Sequence, residues 1–86
     1  MSRLVHTHSH RVRSPDGTEY TVQVHGEQRH GGTWVGWIEF HPQHGKGKVL
    51  RTSQETSQPD WAALDYWAGG LEPVYLEGAL GRARAS

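Results

Sequence analysis

One stretch of the sequence decides the fold: Gly32-Thr33-Trp34-Val35-Gly36-Trp37-Ile38-Glu39-Phe40-His41-Pro42. Glycines precede it and a proline closes it, which predicts a β-strand between two turns. Successive side chains of a strand point to opposite faces of its sheet. One face therefore receives four residues that suit a core: Trp34, Gly36, Ile38 and Phe40. The other face receives Val35, Trp37, Glu39 and His41, and a half-apolar face is unusual for a sheet surface in contact with water.

Alternating stretches on both sides of this strand predict three more strands. Residues 4–13 and 18–27 flank Ser14-Pro15-Asp16-Gly17, a hairpin turn in which proline presets one φ and glycine supplies a positive φ. Tyr20, Val22 and Val24 alternate with polar residues in the second of these strands. A short fourth strand is expected over residues 48–52, after a polar loop. The pattern predicts an antiparallel four-stranded β-meander within residues 1–56.

The spacing of apolar residues changes to a helical period after residue 57. Ser57-Gln58-Pro59-Asp60 has the form of a capping box, which predicts a helix N-cap at Ser57. Two apolar stripes follow, one formed by Trp61, Leu64, Trp67 and Ala68 and the other by Leu76, Ala79, Leu80 and Ala83. Gly69-Gly70 separates them, so residues 57–83 are expected to form two short helices or one kinked helix.

These patterns together predict the fold class and the layout of the domain. Residues 1–86 are expected to form one two-layer α+β domain, with the sheet in 1–56 and a helical layer in 57–83. In the predicted core, Trp34, Ile38 and Phe40 pack against Trp61, Leu64 and Trp67.

Composition excludes several kinds of protein. The 86 residues contain no cysteine, which rules out disulfides and thiolate metal sites. The formal net charge is zero, and this argues against a general nucleic-acid binder. Residues 1–51 hold seven Lys/Arg against four Asp/Glu, and residues 52–86 reverse the balance. No apolar run reaches the length of a membrane span and no secretory signal is evident, so we expect a cytoplasmic protein without membrane contact.

Three parts of the chain carry a resemblance to a family of small bacterial proteins of unknown function. The residues that carry it are Gly32–Phe40, Glu55–Gln58 and Ala63–Ala79, the last reading Ala-Leu-Asp-Tyr-Trp-Ala-Gly-Gly-Leu-Glu-Pro-Val-Tyr-Leu-Glu-Gly-Ala. This resemblance implies no activity and no functional residues. The order of strands followed by helix is also similar to HicB-like antitoxins.

The half-apolar strand face suggests a contact surface. Exposed aromatic residues are commoner at interfaces than on inert surface. We therefore expect a non-enzymatic interaction module that binds a protein partner or a second copy of itself. Its candidate binding residues are Val35, Trp37, His41 and His25. In the alternative interpretation, Trp37 lies under the 42–47 loop or the first hairpin and takes no part in binding.

The histidines near the start of the chain suggest a metal site. His6, His8 and His10 share one face of an extended strand, so two of their imidazoles can meet at one ion. His25 or His41 from a neighbouring strand would then supply a further nitrogen. Such a set suits zinc or nickel. The alternative is a polar edge strand whose histidines are solvated.

Two further functions are weighed against these. Nucleic-acid binding would place Trp37 against bases and five basic residues against phosphates: Arg11, Arg13, Lys46, Lys48 and Arg51.

Acid–base catalysis is the second of these functions. Its candidate residues are His25, Glu27, Glu39 and His41, which we expect to neighbour one another on the sheet face that carries Trp37. An open face does not exclude water, however, and the chain has neither a nucleophile elbow nor a phosphate loop. The sequence therefore does not favour an enzyme.

Overall fold

The computed structural model describes residues 1–44 and 47–85. Strands and helices follow the predicted order, with the sheet first and the helices after it. The strands are β1 (Arg3–Arg13), β2 (Glu19–Gln28), β3 (Trp34–Pro42), β4 (Leu50–Arg51), β5 (Thr56–Gln58) and β6 (Arg84–Ala85). The helices are α1 (Trp61–Gly69) and α2 (Pro73–Arg82). No helix among the described residues has the length and apolar character needed to cross a membrane.

The sheet is antiparallel, as predicted, but has six strands in the described part of the chain where four were expected. Its order is β1-β2-β3-β4-β6, and β5 pairs with the remaining length of β3. β4 and β6 are only two residues long, and β5 has three. β4 lies within the fourth strand expected over residues 48–52. β5 and β6 were not predicted, because two or three residues show no alternation. The first three strands and the turn at Gly17, with a φ of 91°, agree with the prediction.

The helical layer contains two helices and not one kinked helix. The predicted N-cap at Ser57 is wrong, because Ser57 lies within β5 and pairs with Val35. Asp60 is the N-cap of α1, and its carboxylate accepts a hydrogen bond from the Ala63 N–H at 2.9 Å. Gly70 ends α1 by donating its N–H to the carbonyls of the preceding turn. Pro73 then starts α2, where its missing N–H costs no helical hydrogen bond.

The core lies between the helices and one face of the sheet. Val22, Val24, Ile38 and Phe40 are fully buried there against Ala68, Leu76 and Ala79. The predicted core role of Ile38, Phe40 and Leu64 is therefore confirmed. Trp34 and Trp61 are only half-buried, contrary to the prediction, and their rings meet edge to face at 5.0 Å. They lie outside the main core cluster, whereas Trp67, also predicted as a core residue, is half-buried against it.

Two facing glycines let α1 approach the sheet closely. Gly26 on β2 pairs with Gly36 on β3, and the Leu64 side chain lies over both. A Cβ at Gly26 would lie 2.6 Å from Leu64 Cδ2, and one at Gly36 would lie 2.9 Å from Leu64 Cδ1. Both distances are shorter than any normal carbon contact. The glycines therefore provide the space into which the buried Leu64 packs.

The opposite face of the sheet differs from the open apolar surface that was expected. Trp37 is 4 % exposed and Val35 is 5 % exposed. The Arg51 guanidinium lies over the Trp37 ring, 4.1 Å from its centroid, and the His25 ring is nearly parallel to the indole. Long cationic side chains commonly cover apolar neighbours in this way while the charged end stays wet. Trp37 is thus covered by neighbouring side chains of the same sheet face, which we call the outer face.

Candidate metal centre

Strand register brings three metal-ligating side chains together on the outer face. β2 and β3 pair so that His25 opposes Trp37, Gln23 opposes Glu39, and Thr21 opposes His41. Residues opposite each other across a strand pair have side chains on the same face. Glu39 therefore lies between His25 on the neighbouring strand and His41 two residues along its own strand.

The two imidazoles converge on one oxygen of the Glu39 carboxylate. Glu39 Oε1 lies 3.3 Å from His25 Nε2 and 3.1 Å from His41 Nε2. One ligand atom from each residue lies within 4.8 Å of the others. In the described part of the chain, this is the one group of three or more His, Asp or Glu side chains that meets this criterion. The outer face therefore carries a compact set of two imidazoles and one carboxylate, which we call the His2Glu cluster.

The two separations from Glu39 Oε1 are compatible with the coordination shell of a transition metal. With metal–ligand bonds of about 2.0–2.2 Å, neighbouring ligand atoms are about 3.3 Å apart around a tetrahedral ion and about 2.9 Å apart around an octahedral one. The two separations from Glu39 Oε1 fall between these values. Without a metal, the same atoms form a hydrogen-bonded cluster in which His25 Nε2 also lies 2.9 Å from Gln23 Oε1. Because these oxygens only accept, Nε2 of each imidazole carries the proton here, and an ion bound at Nε2 would require the ring proton to be on Nδ1.

Trp37 fixes the orientation of the Glu39 carboxylate. Its indole N–H donates to Glu39 Oε2 at 3.2 Å, so the other oxygen is the one turned toward the imidazoles. Hydrogen bonds from outside the coordination shell commonly orient metal ligands in this way. Trp37 thus contributes to the cluster by orienting the Glu39 carboxylate.

The electrostatic environment favours the metal-binding protonation states of two ligands. Burial lowers the pKa of His25, and the nearby His41 and Arg51 lower it further, against the opposing effect of Glu39. Burial alone would raise the pKa of Glu39. The Trp37 hydrogen bond and the two histidines outweigh burial, so the pKa lies below its usual value. A neutral imidazole and an ionised carboxylate are the forms that bind metal ions.

The predicted N-terminal histidine site does not form a comparable group. His8 Nε2 lies 2.8 Å from the Ala68 carbonyl oxygen, which only accepts, so this nitrogen carries the proton and donates to the end of α1. His6 packs against His8 with ring centroids 4.5 Å apart, and His10 is exposed. Burial lowers the pKa of His8. His8 thus joins β1 to α1, while His25 and His41, expected as additional ligands, meet each other and Glu39 instead.

The predicted nucleic-acid residues have different surroundings. Arg13 pairs with Glu19 at 2.8 Å, and Arg51 lies on Trp37. Arg11 and Lys48 are exposed, and Lys46 lies outside the described residues. Base stacking required an exposed Trp37 ring, and Arg51 covers that ring. At 4 % exposure, Trp37 offers little ring surface to a base, and nucleic-acid binding through the basic residues stays a prediction.

Sequence reasoning identified the neighbourhood of the cluster but not its composition. Alternation placed Glu39 and His41 on one face, and pairing of consecutive strands brought His25 to the same face. Choosing Glu39 as the shared ligand needed the register of β2 against β3, which the hairpin between them sets. The chain matches no protein-family model, no curated protein and no solved structure. The case for a function therefore rests on the geometry of this cluster.

Proposed function

We propose that this protein binds a divalent transition metal ion on the outer face of its sheet, through His25, Glu39 and His41. The observation that supports the proposal is the sharing of Glu39 Oε1 by two imidazole nitrogens at 3.1 and 3.3 Å. Two nitrogens and one carboxylate oxygen form a ligand set that suits zinc or nickel. The proposed role is binding, and no catalytic step is assigned to it.

The metal proposal is favoured over an interaction module anchored by Trp37. Burying an exposed tryptophan drives association because its apolar area leaves water. At 4 % exposure, Trp37 has almost none of this area left to bury against a partner. Binding of a protein partner or of a second copy through this sheet face stays a prediction, and light scattering at two protein concentrations tests self-association.

The test is titration of the protein with zinc, nickel and cobalt, followed by calorimetry and by the visible spectrum of the cobalt form. We expect one ion per chain. Replacing a residue that hydrogen-bonds to a metal ligand typically lowers metal affinity 10–100-fold, and replacing the ligand itself lowers it more. His41→Ala should therefore weaken binding by about 100-fold or more. This side chain is one-third exposed, so the variant should keep its fold.

The control separates the His2Glu cluster from the histidines of β1. A His6→Ala/His10→Ala variant should bind cobalt as the unmodified protein does, because neither side chain contacts the cluster. His30→Ala, in an exposed turn, serves as a second control. If the double variant loses cobalt while His41→Ala retains it, the metal belongs to β1 and the proposal is wrong.

A further inference from the structure

Arg51 lies beside the His2Glu cluster on the outer face. β4 pairs with β3 so that Arg51 is directly opposite Glu39. Its guanidinium lies 4.1 Å from the centroid of the Trp37 ring. The same indole donates its N–H to Glu39. One tryptophan therefore contacts both the Glu39 carboxylate, through its N–H, and the Arg51 guanidinium, through its ring face.

The Arg51 guanidinium has no anionic partner in the described part of the chain. Three arginines do form ion pairs there, each with a glutamate at 2.7–3.2 Å: Arg13, Arg29 and Arg82. Glu39 is the carboxylate nearest to Arg51 in the strand register, but it is engaged by His25, His41 and Trp37. Arg51 is also exposed. Its N–H donors are consequently available to a ligand from solution.

The His2Glu cluster leaves coordination positions unfilled. Three protein ligands complete neither a tetrahedral nor an octahedral shell, and sites with an open position take water or an exogenous ligand. A divalent ion, one carboxylate and one guanidinium give the site a net charge of about +2. This charge favours an anion over a neutral molecule as the exogenous ligand.

We infer that the metal ion and Arg51 together bind a small carboxylate. This inference rests on the proposed metal site. One carboxylate oxygen occupies an open position on the ion, and the other accepts hydrogen bonds from the Arg51 guanidinium. A guanidinium matches the planar, two-oxygen shape of a carboxylate better than an ammonium does. Because Trp37 restricts the guanidinium, less side-chain freedom is lost when the anion binds.

The test uses the full chain loaded with cobalt(II), whose visible spectrum responds to changes in its ligands. Acetate is the probe, and acetamide is the uncharged probe of the same shape. We expect acetate to change the spectrum in a saturable way and acetamide to leave it unchanged. Arg51→Gln should weaken acetate binding about tenfold or more, because charge-assisted bidentate contacts are among the stronger hydrogen bonds. Arg51→Lys should give an intermediate affinity, and Arg13→Gln should match the unmodified protein.

The outcomes separate this inference from the proposed function. Cobalt binding without an acetate response, or with equal acetate affinity in Arg51→Gln and the unmodified protein, overturns the inference and leaves the metal site intact. Failure of cobalt to bind overturns both. Circular dichroism of each variant establishes that the altered affinities come from folded protein.

Discussion

At the scale of single residues, Trp37 explains why a tryptophan occupies the outer face. Its ring contacts the Arg51 guanidinium and lies nearly parallel to the His25 ring, and its indole N–H reaches Glu39. A phenylalanine would fill much of the same volume without donating the hydrogen bond. A tryptophan suits this position because β3 has buried side chains on both of its faces, and Trp37 packs against other side chains of the same chain.

Gly26 is the residue where the helix-to-sheet distance is most sensitive to substitution. Its added Cβ would lie 2.6 Å from the buried Leu64 side chain and 3.1 Å from the Val35 carbonyl oxygen. The backbone oxygen belongs to a paired strand and cannot move without disturbing the sheet. We expect Gly26→Ala to lower the free energy of unfolding by about 1–3 kcal/mol, as overpacking typically does. Urea denaturation measures this change.

Gly81 supplies the matched control for this substitution. It lies in α2, and a Cβ there would meet no atom within 4 Å. Gly81→Ala should be neutral or raise the free energy of unfolding by up to about 1 kcal/mol, because alanine favours the helix. If both variants gave the same change in stability, the close packing of Leu64 on Gly26 would not be the cause.

At the scale of elements, a single carboxylate fixes α2 to the segment between β4 and β5. Glu55 Oε1 accepts a hydrogen bond from the Tyr75 hydroxyl at 2.6 Å and one from Arg82 Nη2 at 2.7 Å. The Glu55 side chain is 9 % exposed. Glu55 precedes Tyr75 by 20 residues in the sequence, and the fold brings the two side chains together.

This contact predicts a dependence of stability on pH. Burial would raise the pKa of Glu55, but the hydrogen bonds from Arg82 and Tyr75 lower it by more, and the result is below the usual value. Because the pKa is lower when folded than when unfolded, ionised Glu55 stabilises the fold above the unfolded pKa of about 4.3. That stabilisation is lost as the pH falls through the folded pKa. Glu55→Gln should cost about 1–3 kcal/mol at pH 7, typical for a charged hydrogen bond.

The pH series also distinguishes this contact from a general surface effect. The difference in unfolding free energy between Glu55→Gln and the unmodified protein should shrink as the pH falls below the unfolded pKa of about 4.3, and should be smallest below the folded pKa. Glu77→Gln, on the exposed side of α2, should differ little from the unmodified protein at any pH. A difference for Glu55→Gln that stayed constant down to pH 2 would show that ionisation of Glu55 does not matter to stability.

At the scale of the whole molecule, all three residues of the His2Glu cluster belong to one chain. This predicts how many metal ions each chain binds. One chain supplies His25, Glu39 and His41, so binding needs no second copy. We expect one zinc ion per chain and the same molar mass with and without zinc. Light scattering at two protein concentrations, combined with metal analysis, measures both quantities. A doubled mass with zinc and half an ion per chain would mean that a second copy completes the coordination shell.

Local sequence was enough to predict the α+β class, the first three strands, a short fourth strand within residues 48–52, the first hairpin turn and the two helical stripes. Each depends on local chemistry: alternation for a half-buried strand, a 3.6-residue period for a packed helix, and glycine where φ is positive. Ile38, Phe40 and Leu64 were identified as core residues for the same reason. Glu39, His25 and His41 could be assigned to one sheet face, since consecutive strands commonly pair.

The tertiary structure decided which of those face residues meet and which are covered. Register aligned Gln23 with Glu39 and Arg51 with Glu39, and these pairings placed Arg51 over Trp37 and both imidazoles against one carboxylate oxygen. The same applies to Ser57, which pairs in β5 although its local sequence favoured a helix cap. Local sequence does not encode these outcomes, because each depends on the position of a strand or loop distant along the chain.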